Sequence, residues 1–217
     1  MLEENFISIK RQLLLNLINE VMKEFNELSK NSKYKIVKPS IPILWFGNVE
    51  KYFKSEVKII TVGINPSCME FKKNKKLNQY DITFRFPDYI AKCTPSLYLA
   101  YNNYFKENPY KKWFNENFKN VLEKFNASYY ENQKFPNIAI HTDIASQYAT
   151  YPRWGKLGKN VKEELTKRGI KNWHKLMEIL EPDVILFSSN ATQYVKEINK
   201  DLKKLFQVYI LFLDLRK

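Results

Sequence analysis

Cysteine is nearly absent from this chain. Its 217 residues hold two, Cys68 and Cys93, which argues against a disulfide framework and against a four-cysteine metal or iron–sulfur site. Histidine is as scarce, with only His141 and His174. Long apolar runs are missing too: no stretch reaches the roughly 20 residues that a membrane-spanning helix needs. The opening "MLEENFISIKRQLLLNLINEVMKEF" is charged throughout and has no small-residue cleavage site, so it does not read as a signal peptide. The expected compartment is the cytoplasm. There is no internal repeat and no low-complexity tract.

What is present suits a folded α/β domain. A hydrophobic fraction of 44%, with 15% aromatics, is enough for a core of ordinary size. The formal net charge is +13. Such an excess favours a polyanionic partner, most obviously nucleic acid. A lysine- and asparagine-rich, glycine-poor composition is also what an AT-rich genome produces, so charge alone leaves both readings open.

Apolar residues from Phe6 to Leu28 recur at three- and four-residue steps, which predicts one long amphipathic helix. "KPSIPILWFGN" reads as an extended linker that packs onto something. Buried strands are predicted at "VKIITVG" (57–63), "FPNIAIHTD" (135–143), "PDVILFSS" (182–189) and "QVYILFLDL" (207–215). Helical spacing occupies 96–105, 110–125, one or two helices ending before Pro182, and 190–206. The segment 64–89 is a long loop and 144–159 a second irregular one. Strands alternating with helices predict a three-layer α/β/α domain around a central four-stranded parallel sheet. Residues 1–35 form a helix packed on a domain spanning 36–217.

In such sheets ligands bind at the carboxyl ends of the strands. Three predicted strands run there into polar clusters: "GINPS", "HTD" and "SSN". Gly63 permits a tight turn and a close approach. Pro66 pushes Asn65 into an extended conformation, so its amide, both donor and acceptor, sits rigidly at the strand end. The alternative is that Asn-Pro simply begins a turn.

"VGINPS" after the first strand resembles the first motif of the uracil-DNA glycosylase superfamily, closest to its mismatch-specific and single-strand-selective branches. "NPSCMEF", "FRF", "IHTD" and "ATYPRW" resemble a little-characterised glycosylase-like subgroup. The likeness covers about residues 40–215. It implies a monofunctional, metal-independent DNA glycosylase that needs no cofactor, acts as a monomer, and cuts uracil or a modified base from single- or double-stranded DNA. Two alternatives stay beside it: a catalytically inactive nucleic-acid-binding protein of the same fold, and a small-molecule nucleoside or nucleotide hydrolase. Ser67 stands where the better-known branches have glycine, and "HTD" where an asparagine is expected. The superfamily's loop after the last strand has no counterpart before the chain stops at "LFLDLRK".

By this resemblance Asn65 positions the attacking water. Asp143 accepts its proton or stabilises the sugar cation by charge, or else braces a loop. His141 donates to a base carbonyl, or else bonds backbone. An ionised aspartate can only accept hydrogen bonds, so the "HTD" change puts uracil itself in doubt as the target. Gly63, Ile64, Pro66 and Ser67 would line the base pocket, together with Ser189 and Asn190, which can equally cap a helix. Phe71 or, preferably, Phe86 would stack on the extruded base. Arg85, Arg153, Lys72 and Lys156 would contact the DNA backbone.

Overall fold

The computed structural model describes residues 2–74, 79–131, 134–194 and 209–213. Strand β1 (Ile59–Gly63) is buried at every position, as its unbroken apolar run requires. It lies between two parallel neighbours, β6 (Ile140–Asp143) and β7 (Val184–Ser188). β8 (Tyr209–Leu213) pairs in parallel with β7, giving the order β6-β1-β7-β8. The α/β class and the parallel sheet are those predicted from the alternation of apolar runs and helical spacing. β2 (Lys72–Asn74) and β3 (Gln79–Tyr80) form a small antiparallel pair in the first long loop. β4 (Ala127–Ser128) and β5 (Asn137–Ile138) form a separate parallel pair, so the predicted strand 135–143 is split. Of the fourth predicted strand Tyr209–Leu213 is described. The helix predicted from Asn190 begins as a 3-10 turn, Ser189–Tyr194, and its remainder lies outside the described residues.

The helices are α1 (Leu2–Leu28), α2 (Val49–Phe53), α3 (Thr94–Asn103), α4 (Lys111–Asn117), α5 (Lys119–Lys124) and α6 (Lys159–Leu180). On α1, Leu14, Leu17, Ile18, Val21, Phe25 and Leu28 are buried, whereas Phe6, Ile9 and Leu13 remain exposed. Each buried side chain contributes about 1.5–3 kcal/mol. The buried stripe faces α3 and α6, and Glu24 ties the helix to the domain by accepting from Asn172 and Arg168, each at 3.3 Å.

Side chains alternate across a strand, and that period sorts the sheet into two faces. Ile60, Val62, Ile140 and Thr142 point one way, and α6 covers them: Trp173 Nε1 donates to Thr142 Oγ1 at 3.0 Å. Thr61, Gly63, His141 and Asp143 point the other way, with Thr61 beside His141 and Gly63 beside Asp143 in register. Here the rings of Phe46, Phe114 and Phe118 surround the His141 imidazole at 5.2 to 5.7 Å between centroids.

The predicted linker 38–48 is core. Ile41, Ile43, Leu44, Trp45 and Phe46 are all buried. Phe46 exchanges both backbone hydrogen bonds with His141, at 2.9 and 3.0 Å, and so lines the outer edge of β6. The loop 144–150 is irregular, as predicted, yet fully buried. It is pinned between β1 and the linker by Ala145 N donating to Ile64 O at 2.9 Å and Ile43 N donating to Gln147 O at 2.8 Å. Gly169 makes this possible from the α6 side. A Cβ there would meet the Ala145 carbonyl oxygen at 2.2 Å.

Candidate active site

The first strand of the sheet sits between the second and the third, so the chain reverses direction around β1. A crevice opens at the carboxyl edge of such a switch point. The loops leaving β1, β6 and β7 meet there around a cavity of about 360 Å³, a volume within the range of small-ligand pockets. Asn65, His141, Asp143, Arg153 and Asn190 all line it, although they come from distant parts of the sequence.

Asn65 follows β1 and is half-buried. Its Nδ2 donates to the carbonyl oxygens of Pro66 at 3.1 Å and Tyr148 at 3.4 Å. Those bonds assign the amide's orientation and leave Oδ1 without a donor among the described residues. Ile64, Pro66 and Ser67 line the cavity beside it, and Ser67 Oγ accepts from Met69 N at 3.2 Å, turning the chain into a single 3-10 turn, Cys68–Glu70. Gly63 is not itself part of the lining. Its part is spatial: a Cβ would lie 2.4 Å from Asp143 Oδ1 and 3.1 Å from His141 Nε2. Only glycine lets the two side chains of β6 lie across the end of β1.

The His141 ring is oriented by a relay. Tyr129 is fully buried, and burial holds its phenol well above its ordinary pKa, so it stays protonated. Its hydroxyl lies 2.6 Å from Thr61 Oγ1, which lies 2.8 Å from His141 Nδ1. Thr61 Oγ1 also lies 3.4 Å from Ile140 O; we assign its one proton to the closer Nδ1, with Tyr129 donating to Thr61. That places the ring proton on Nε2. Nε2 stands 3.8 Å from Asp143 Oδ1, too far for a direct hydrogen bond. The cavity thus holds a donor and an acceptor side by side, both unspent among the described residues. Thr150 Oγ1 adds a buried hydroxyl with no partner among the described residues in the same lining.

Three predicted roles are corrected by the packing. Phe71 and Phe86 are completely buried and lie 5.8 Å apart in the aromatic core, so neither can stack on an incoming base. Arg85 is 8% exposed; it donates to Met69 O at 3.2 Å and Asn108 O at 2.5 Å. Its guanidinium braces two loops and is not offered to phosphate. Ser189 is half-buried at the start of the 3-10 turn, and Ser188 and Asn190 line the cavity in its place. Arg153 is exposed at the cavity, and Lys156 is exposed one turn further on. Lys72 lies in β2, apart from the lining, and Lys75 and Lys76 lie outside the described residues.

Two features went unread in the sequence. Tyr110, Trp113 and Phe114 line the cavity from the start of α4, and Trp113 is 36% exposed. "YKKWF" interleaves basic and aromatic residues, as "YPRWGKLGK" (151–159) does. The second is Glu70, which lines the cavity while only 3% exposed. Tyr104 donates to its Oε2 at 2.5 Å. Burial, augmented by the charge of Asp143, outweighs Tyr104 and Arg85 and raises its carboxyl from 4.5 to about 7.

Among the described residues no group of three or more His, Cys, Asp or Glu side chains is placed to hold a metal ion, and no helix is long and apolar enough to cross a membrane. No family model, curated protein or solved structure matches the chain.

Proposed function

We propose that this protein hydrolyses N-glycosidic bonds in nucleic acid in the manner of the uracil-DNA glycosylase superfamily, which its "VGINPS" segment resembles. On this reading the sheet, α6 on one face and the aromatic layer on the other are the three-layer core of such an enzyme. Residues 36–217 are then its domain and α1 an addition. One observation carries the proposal: Asn65 Oδ1, His141 Nε2 and the Asp143 carboxylate line a single cavity, each without a hydrogen-bond partner among the described residues for the group it turns to a ligand.

The chemistry follows from charge. As the bond between sugar and base breaks, the sugar becomes cationic and the base gains electron density. Oδ1 of Asn65 accepts from a water and aims it at the sugar carbon. The Asp143 carboxylate stabilises the cation and takes the water's proton. His141 Nε2–H donates to an acceptor on the base edge, where charge accumulates. Trp113 and Tyr110 offer a face for stacking, worth about 1–3 kcal/mol per base. Arg153 and Lys156 supply phosphate contacts, consistent with the +13 charge.

The test is an oligonucleotide panel bearing uracil and other non-standard bases, read as alkali-labile abasic sites. Asn65→Ala is expected to retain binding and lose turnover by roughly 10²-fold or more, the scale of one lost transition-state contact. Tight, salt-dependent binding without cleavage would replace the enzyme with a binding module. Cleavage of free nucleosides with weak, salt-insensitive affinity for oligonucleotides would replace it with a small-molecule hydrolase.

A further inference from the structure

Among the described residues Glu70 is the one buried carboxyl of the cavity that the mechanism above does not use. It ends the 3-10 turn Cys68–Glu70 that Ser67 caps just after Asn65-Pro66, so the chain delivers both residues to the cavity within six positions. Only one of its oxygens is engaged. Oε2 accepts from Tyr104 at 2.5 Å and stands 3.8 Å from Arg85 Nε, whose own hydrogen bonds go to backbone carbonyls. Oε1 accepts no hydrogen bond from the described residues. A carboxylate kept for structure is surrounded by donors that hold it ionised; this carboxyl has one, from a phenol. The groups facing it are Tyr104 at the end of α3, Arg85 from the loop before α3, and Asp143 from β6. The last of these is a second carboxyl lining the same cavity. An acid and a base that share one site are commonly such a pair of carboxyls.

Resting on the reading of the cavity as a glycosidase site, we propose that Glu70 is its general acid, and that the base released is one that must be protonated to leave, a purine or a similar heterocycle with a basic ring nitrogen. The Glu70 O–H bond breaks and its proton passes to the ring nitrogen. The C1′–N bond breaks with its electron pair moving onto the base, which departs neutral. The water held by Asn65 forms the new C1′–O bond and gives its proton to the Asp143 carboxylate. Solvent then returns a proton from Asp143 to Glu70, so the balance is one water consumed. Uracil has no need of such a donor, because its anion is spread over two carbonyl oxygens that His141 can serve. The buried acid therefore points away from uracil, as does the replacement of the expected asparagine by "HTD".

The experiment compares two purines in the same oligonucleotide: hypoxanthine, which needs a proton to leave, and 7-methylguanine, which already carries its positive charge. The wild-type protein is expected to lose hypoxanthine cleavage as pH rises through about 7 and to cleave 7-methylguanine with no such limb. Glu70→Gln is expected to lower hypoxanthine cleavage by roughly 10²-fold or more while 7-methylguanine cleavage stays within a few-fold. An equal loss on both substrates would make Glu70 merely structural and overturn the proposal. So would cleavage of uracil, independent of pH and unaffected by Glu70→Gln, with neither purine cleaved, and that outcome would leave the glycosidase reading intact. Cleavage of no base in the panel would overturn both. The wild-type pH profiles alone decide the matter if the variant fails to fold.

Discussion

Replacing Glu70 by glutamine tests the electrostatics of the site without any substrate. The glutamine carbonyl keeps the hydrogen bond from Tyr104, and the side chain's volume is nearly unchanged, so the substitution chiefly removes a titration. In the unfolded chain Glu70 ionises around 4.5, and in the folded protein around 7. Below the lower value it is protonated in both states and contributes no pH dependence. Between the two, the unfolded chain sheds a proton that the folded protein retains, so stability falls as pH rises. Above about 7 both states are ionised and the full cost of burying the charge is borne. At about 1.4 kcal/mol per pH unit, the interval from 4.5 to about 7 corresponds to about 3 kcal/mol. That is a large share of a domain's total stability. Urea unfolding of both proteins, followed by tryptophan fluorescence from about pH 4.5 to about pH 8, measures the difference. Titrations that do not feel the Glu70 charge are common to the two and cancel. The glutamine variant is expected to gain about 3 kcal/mol on the wild type across that range. A difference that stays flat would mean that Glu70 is ionised at neutral pH like any solvated carboxyl, and the description of the cavity would be wrong.

The remaining predictions concern how the site is held. Gly63→Ala places a Cβ 2.4 Å from Asp143 Oδ1, so it is expected to cost about 1–3 kcal/mol by overpacking and, by displacing Asp143 and His141, roughly 10² in turnover; wild-type melting and turnover would contradict the close approach. Thr61→Val is expected to leave Tyr129 and His141 Nδ1 unpaired at about 1–3 kcal/mol each, and nitrogen-15 spectra of the imidazole should show the loss of the single Nε2–H tautomer. Gly169→Ala should destabilise, although alanine is favoured over glycine in a helix by about 1 kcal/mol, because the 2.2 Å contact is with backbone that cannot step aside; a rise in melting temperature would refute that packing.

Much of the site was legible because strands announce themselves. The continuous apolar runs at Ile59–Val62, Ile138–Ile140 and Val184–Phe187 fix a parallel sheet, and the polar residues that end those runs must gather at one edge. Asn65, His141, Asp143 and Asn190 lie in or beside those clusters, and the resemblance singled them out. The residues misread were those whose roles depend on packing at a distance. Phe86 and Arg85 sit in an aperiodic stretch, where nothing local distinguishes a core plug from a stacking platform. Their burial is decided by Tyr104 and Phe71, which local pattern does not connect to them. Glu70 was passed over for a related reason. A glutamate between methionine and phenylalanine looks like an ordinary surface residue until the turn initiated by Ser67 carries it inward. The short strand Ala127–Ser128 has too few residues to leave any period.

The paired bonds between Phe46 and His141 bear on more than the pocket. A terminal strand of a sheet ordinarily exposes a row of unsatisfied amides on which another chain can dock and propagate. Here the linker occupies that margin at its centre, so the strand carrying the chemistry is closed to self-association at the point where an intruding peptide would pull the imidazole out of line. Shortening residues 38–46 would then be expected to provoke clumping and to dull the site in a single stroke.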